Sequence, residues 1–197
     1  MTTRRRPSAL LALALSALLV AAASPAAARA PQKVAGCPVF PATNVSNKRV
    51  DRLPVHPNSK RIIRAIGLDK PLHPDFSDEG GYGIPWNVVG KDTPRTEVEF
   101  RWPDESDGGP YPIPPAPRIE SGGDRHVLLV DQDACRLYEL YAAERQPDGR
   151  WTAGSGAIWN LRSNKLRPWG WTSADAAGLP ILPGLVRFKD LKAGEIR

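Results

Sequence analysis

Apolar and polar residues alternate most cleanly between positions 97 and 161. From Glu97 to Trp102 the apolar side chains Val98, Phe100 and Trp102 fall on every second position, which predicts a half-buried strand. His126 to Val130 is a continuous apolar run behind a Gly-Gly pair. Cys135 to Tyr141 alternates again, with Leu137 and Glu139 on one face and Arg136, Tyr138 and Leu140 on the other. Asp131-Gln132-Asp133-Ala134 lies between these runs, so the pattern predicts an antiparallel hairpin. Pro147-Asp148-Gly149 marks a second turn, and Trp151 to Leu161 predicts one or two further strands of a β-meander. A helical period shows once: Asn58 or Ser59 as cap, Ile62, Ile63 and Ile66 as an apolar stripe, and Gly67 as the stop. That predicts a helix of about two turns packing one face on the core. Ser173 is a candidate cap for a single helical turn, Ala174 to Ala177, ended by Gly178.

Between these elements the chain is punctuated by proline, which breaks helices and interior strands. Residues 31–57 read as an extended arm. Asp104 to Pro117 reads as a long loop ending in YPIPPAP. The whole pattern predicts a mainly β fold: an antiparallel sandwich or jelly-roll-like domain over residues 58–197, with one or two short helices and long proline-rich loops. No repeat of fixed period appears.

The first thirty residues change the picture of where the chain works. Arg4, Arg5 and Arg6 precede an uncharged run from Ala9 to Ala23, and Ala28-Arg29-Ala30 offers a small-x-small cleavage pattern. This is the layout of a secretory signal peptide over residues 1–30, too short in its apolar part to span a bilayer comfortably. Export by general secretion is the expectation, with no transmembrane segment after cleavage and a periplasmic or extracellular mature chain. The four leader arginines account for most of the apparent basicity. Without them, 23 Lys and Arg face 21 Asp and Glu, which gives no reason to expect a nucleic-acid partner.

Cys37 and Cys135 are the two cysteines of the chain, both beyond the leader. In an oxidising compartment such a pair predicts a disulfide, here closing a loop of about 100 residues and contributing up to ~4–5 kcal/mol on a chain-entropy account. It would pin the arm to the centre of the sheet.

The blocks CPVFPATNV (Cys37 to Val45), LHPDF (Leu72 to Phe76), ESDGGPYPIP (Glu105 to Pro114), DRHVLLVDQDACRLYELY (Asp124 to Tyr141) and LRPWGWTSADAAGLPILPGLVRF (Leu166 to Phe188) stand in that order. Through them the chain resembles a group of secreted, mostly bacterial proteins for which no activity is established. The group runs on past the position of Arg197 with strand-like sequence, so the resemblance implies that the sheet gains strands beyond this point.

Candidate chemistry is sparse. Of the three histidines, His56, His73 and His126, none stands at metal-ligand spacing, and no metal site is predicted. His73 with Asp75, Asp78 and Glu79 could gather ligands on one loop, but HPD is equally a turn. His126, beside Asp124, is a candidate base oriented by a carboxylate. Ser155 in Gly154-Ser155-Gly156 lacks the frame of a nucleophile elbow. Carboxylates carry more promise, because a glycosidase needs two, one of them kept protonated. Glu105, Asp107, Asp124, Asp131, Glu139 and Asp175 stand in the distinctive blocks, with Asp124 and Asp175 as the candidate catalytic pair. Asp131 with Asp133, and Asp104 with Glu105 and Asp107, crowd carboxylates on single loops, where turn formation and calcium binding compete as explanations. Trp169 and Trp171, flanking Gly170, and Tyr111 from the proline-rich loop are candidates to stack on a sugar face, whereas Trp102, Trp151 and Trp159 read as core.

Three readings follow. The first is an extracellular glycan-associated binding module, with polysaccharide or cell-wall glycan as partner. The second is a secreted polysaccharide hydrolase using a carboxylate pair. The third is a structural envelope or surface protein without enzymatic activity. Composition and pattern leave open whether the chain is an enzyme at all.

Overall fold

The computed structural model describes residues 30–51, 53–71 and 83–194. Residues 1–29, on which the signal-peptide expectation falls, Arg52, the LHPDF block with its His73 cluster, and the last three residues lie outside the described residues. In chain order the elements are β1 (Lys33–Val34), β2 (Cys37–Pro38), α1 (Ser59–Ile66), β3 (Trp86–Val89), β4 (Arg95–Thr96), β5 (Val98–Phe100), β6 (Tyr111–Pro112), β7 (Val127–Asp131), β8 (Arg136–Tyr141), β9 (Glu144–Arg145), β10 (Trp151–Ala153), β11 (Ser155–Asn160) and α2 (Phe188–Ala193). The architecture is mainly β and sandwich-like.

The predicted hairpin is its centre. β7 and β8 pair antiparallel, with Leu129 opposite Tyr138 and Val130 opposite Leu137. β11 adds to the free edge of β8, and β3 lies parallel to β7 on the other side, giving the order β11-β8-β7-β3. The continuous apolar run of β7 is explained by burial on both faces of this sheet. On one face Leu128, Val130, Leu137, Ala157 and Trp159 are covered by the arm (Val34, Cys37, Val39, Phe40) and by Leu182. On the other, Val127, Leu129, Tyr138 and Leu140 meet Val98, Tyr111, Ile113, Trp151 and Ala153. These come from the three-stranded sheet β5-β10-β9 and the small pair β4-β6.

Four expectations need correction. β9 and β10 leave the central sheet, and β10 pairs in parallel with β5, so the strands do not run as one meander. The arm is not merely extended: β1 and β2 form a hairpin whose apolar residues complete one core. The disulfide between Cys37 and Cys135 ties that hairpin to the β7–β8 turn, with Cα atoms 5.4 Å apart. Residues 174–178 form bends around a single turn closed by the Gly178 N–H on the Asp175 carbonyl, not a helical turn, although Ser173 Oγ does accept the Asp175 N–H at 2.9 Å. Finally, α1 ends at Gly67 as predicted, but buries none of its residues; Ile62, Ile63 and Ile66 stay exposed.

Candidate functional site

The site grows from the ends of the central strands. His126 immediately precedes β7 and Tyr141 closes β8, so antiparallel pairing sets their rings 5.7 Å apart. Ser155 opens β11 opposite Tyr141, and Gly154 precedes it. The Trp102 N–H donates to the Gly154 carbonyl at 3.0 Å, laying the indole over that glycine. The indole stacks on Tyr141 at 6.3 Å with the planes 21° apart. A Cβ at residue 154 would lie 2.7 Å from the Tyr141 ring and 2.9 Å from the indole, so the stack requires glycine beneath it. Trp102 remains 47 % exposed. The alternation that placed it in the core fails because Pro103 follows and turns the chain into a 3₁₀ turn, Pro103–Glu105.

Facing this stack is the segment 172–185, and between them lies a cavity of about 870 Å³. Asp124, His126 and Asp175, separated by up to half a hundred residues in sequence, all line it. Glu105 lines it too, as do Trp102 and Tyr141.

The imidazole of His126 is fully engaged. Its Nδ1 lies 2.5 Å from Glu120 Oε2, and its Nε2 lies 3.2 Å from the Ala174 carbonyl oxygen. Glu120 is thus the orienting carboxylate, not the neighbouring Asp124. Nothing in the polar loop around Glu120 signals this, because the two meet only when the loop folds back and the Glu120 N–H bonds the His126 carbonyl. Asp175 Oδ2 accepts the Ala177 N–H at 3.0 Å, so this carboxylate also shapes its own turn. The Glu105 carboxylate accepts the Thr172 hydroxyl at 2.7 Å and the Thr172 N–H at 3.1 Å; these bonds hold it below the usual glutamate range.

Two further groups fix the facing segment. Arg167 is buried between indoles, its guanidinium 5.7 Å from Trp159 and 5.4 Å from Trp171. It pairs with the Asp107 carboxylate, donates to the Glu105 carbonyl at 2.7 Å and to the Thr172 carbonyl at 3.0 Å. Glu139 is fully buried, and its carboxylate accepts from Trp159 Nε1, Ile181 N–H and Leu182 N–H at 2.9–3.2 Å. Burial pushes its pKa up to about 7, against the pull of those donors and of His126. Ser155 is buried with its hydroxyl donating to the Ser173 carbonyl at 2.7 Å.

The aromatic candidates divide. Trp169 is fully exposed, standing at the tip of its loop. Trp171 is half-buried under Arg167. Tyr111 corrects the sequence expectation: it has no exposed surface, lies between Phe100 and Tyr138, and donates its hydroxyl to the Asp107 carbonyl at 2.7 Å. The loop in which it was read contains β6, which pairs with β4 and turns the ring inward.

The carboxylate-rich loops are likewise spoken for. Asp131 accepts the Asp133 and Ala134 N–H groups and pairs with Arg95 at 3.1 Å, closing the hairpin turn. Asp133 accepts the Lys91 N–H at 2.8 Å. Among the described residues no group of three or more His, Cys, Asp or Glu is placed to hold a metal ion, and no helix is long and apolar enough to cross a membrane. No family model matches the chain, and neither a curated protein nor a solved structure is detectably similar to it.

Proposed function

We propose that this chain is an extracellular binding module for polysaccharide, whose sugar rings lie against the Trp102–Tyr141 stack. The observation that carries the reading is that stack: a partly exposed indole laid on Tyr141, with the Arg101 guanidinium 5.4 Å from its ring centre, on one side of an 870 Å³ cleft that Glu105, Asp124 and Asp175 also line. Sugars present apolar C–H faces and rims of hydroxyl donors, which an aromatic platform and carboxylate acceptors match. The leader-like first thirty residues and the Cys37–Cys135 disulfide support a location outside the cytoplasm.

Hydrolysis is the second reading, favoured by the placement of Asp124 and Asp175 on one cavity. Binding is preferred because the groups that could assist chemistry are occupied. Both His126 nitrogens face acceptors, Ser155 is buried, and Glu139, the carboxyl that burial pushes up, is enclosed behind Ile181 and Leu182.

Affinity electrophoresis through soluble β-glucan and xylan, with pull-down on cellulose, chitin and peptidoglycan sacculi, tests the reading. At least one polymer should retain the protein, and Trp102→Ala should weaken retention about tenfold, as expected for losing ~1–2 kcal/mol of aromatic contact. Its melting temperature should hardly move. Wild-type retention in Trp102→Ala, or no retention on any polymer, defeats the proposal. Release of reducing ends, lost in Asp124→Asn and Asp175→Asn, would install hydrolysis in its place.

A further inference from the structure

A second, larger cavity of about 1190 Å³ adjoins the first. Ile84 and Leu185 line both. Glu120 lines the larger and His126 the smaller, and these two side chains make the 2.5 Å contact described above. One Glu–His pair therefore stands between two adjoining cavities.

Their charges are opposite. The smaller chamber carries Glu105, Asp124 and Asp175. The larger carries Lys33, Arg118, Arg187 and Lys189 against the single, already paired Glu120. Arg187 is held by Asp190, with 3.4 Å between Nε and Oδ2. Among the described residues Lys33, Arg118 and Lys189 form no ion pair with any carboxylate. The Arg118 backbone is fixed by Asn87, whose amide donates to its carbonyl at 3.0 Å while its own N–H donates to Asn87 Oδ1 at 2.8 Å. The guanidinium thus projects from an anchored point.

We infer that the two cavities form one bipolar groove for an acidic heteropolysaccharide, with a neutral sugar on the Trp102–Tyr141 stack and an anionic substituent of a neighbouring sugar on Arg118, Lys33 and Lys189. The inference rests on the glycan-binding reading above and specifies its ligand class. A neutral polymer leaves three cations without a partner at one end. A homopolymer charged on every ring sets an anion against Asp124, Asp175 and Glu105 at the other. Spaced acidic groups satisfy both ends, and the substituent is a carboxylate or a phosphate, since guanidinium and ammonium donors accept either.

The test is affinity electrophoresis on glucuronoxylan, the same polymer with its carboxyls reduced to alcohols, polygalacturonate, and a phosphomannan. Glucuronoxylan or phosphomannan should retain the protein about tenfold more strongly than the reduced polymer, and added NaCl should erase the difference. Arg118→Gln and Lys189→Gln should abolish that preference while leaving retention on the reduced polymer intact; Trp102→Ala should weaken all of it. Melting curves establish that each variant is folded. Equal retention on native and reduced polymers, or strongest retention on polygalacturonate, overturns the inference and leaves the glycan-binding reading standing. No retention on any polymer overturns both.

Discussion

The β7–β8 hairpin and the segment from Arg167 to Leu185 sit side by side yet are held by different forces. The hairpin is packed by apolar side chains on both faces: Leu128 and Val130 on one, Val127, Leu129 and Leu140 on the other, all without exposed surface. The later segment gives the apolar core one fully buried side chain, Leu182, with Ile181 and Leu185 packed at its edge. It is tied instead by directional contacts to buried polar groups: Arg167 to Asp107, Glu139 to Ile181 and Leu182, Ser155 to Ser173, His126 to Ala174. Apolar burial is distributed and tolerant of small shifts, whereas each polar anchor fails as a unit and leaves an unpartnered group behind. The cavity lies where the two regimes meet, so its floor is rigid and its facing wall depends on a few titratable or charged side chains.

The sharpest way to break this contrast is a truncation in the hairpin. Leu140→Ala should cost about 3–4 kcal/mol and lower the whole unfolding transition in urea, because a cavity there is felt by both sheets. Next in size, Arg167→Ala should cost ~2–3 kcal/mol by stripping charge-assisted bonds from Asp107 and the Glu105 and Thr172 carbonyls. Its signature should be local: faster amide exchange and limited proteolysis within residues 166–185, ahead of global unfolding. A global transition with no local opening would show that the two regions are one cooperative unit.

The smallest effect is set by pH. In the unfolded chain the Glu139 carboxyl gives up its proton near its ordinary value of 4.5, and in the folded protein near 7. Between these values the native state holds a proton that the unfolded state has released. Stability from this group is therefore complete below pH 4.5 and falls as pH rises toward 7, by about 1–3 kcal/mol. Urea midpoints of wild type and Glu139→Gln across pH 4.5–7.5 should diverge in slope over that window. Parallel curves would mean that the three donors on the carboxylate cancel its desolvation.

Much of the apolar regime was legible in the residues. The alternation of Leu137 and Glu139 against Tyr138 and Leu140 assigns the two faces of β8 correctly, and two cysteines in an exported-looking chain announce their bond. The grouping of Asp124, His126 and Asp175 was readable only as a set of suspects, yet all three line one cavity. The polar regime was not legible. Glu120 reaches His126 through a loop without periodicity, and Arg167 meets Trp159, eight residues before it, and Trp171, four after it, across a loop with neither a helical nor a strand period. Tyr111 misled because flanking prolines suggest a solvated loop, while β6 and the open space over Gly156 draw the ring inward: a Cβ there would lie 2.4 Å from its hydroxyl. Trp102 misled in the opposite sense, its alternation cut short by a single proline. The Ile62, Ile63 and Ile66 stripe is a proper amphipathic signal that the described fold leaves uncovered.

The two parallel pairings have a consequence for how quickly this protein reaches its native state. The β7–β8 hairpin closes through a turn of a few residues and forms on the timescale of local events. β3 must then find β7 with Trp86 beside Leu128, more than forty residues away, and β5 must find β10 with Val98 beside Trp151, more than fifty away. Each closure spends chain entropy before any side chain is buried, so these two pairings are expected to form after the hairpin. Until β3 docks, the Val127–Asp131 edge is open to any other extended chain.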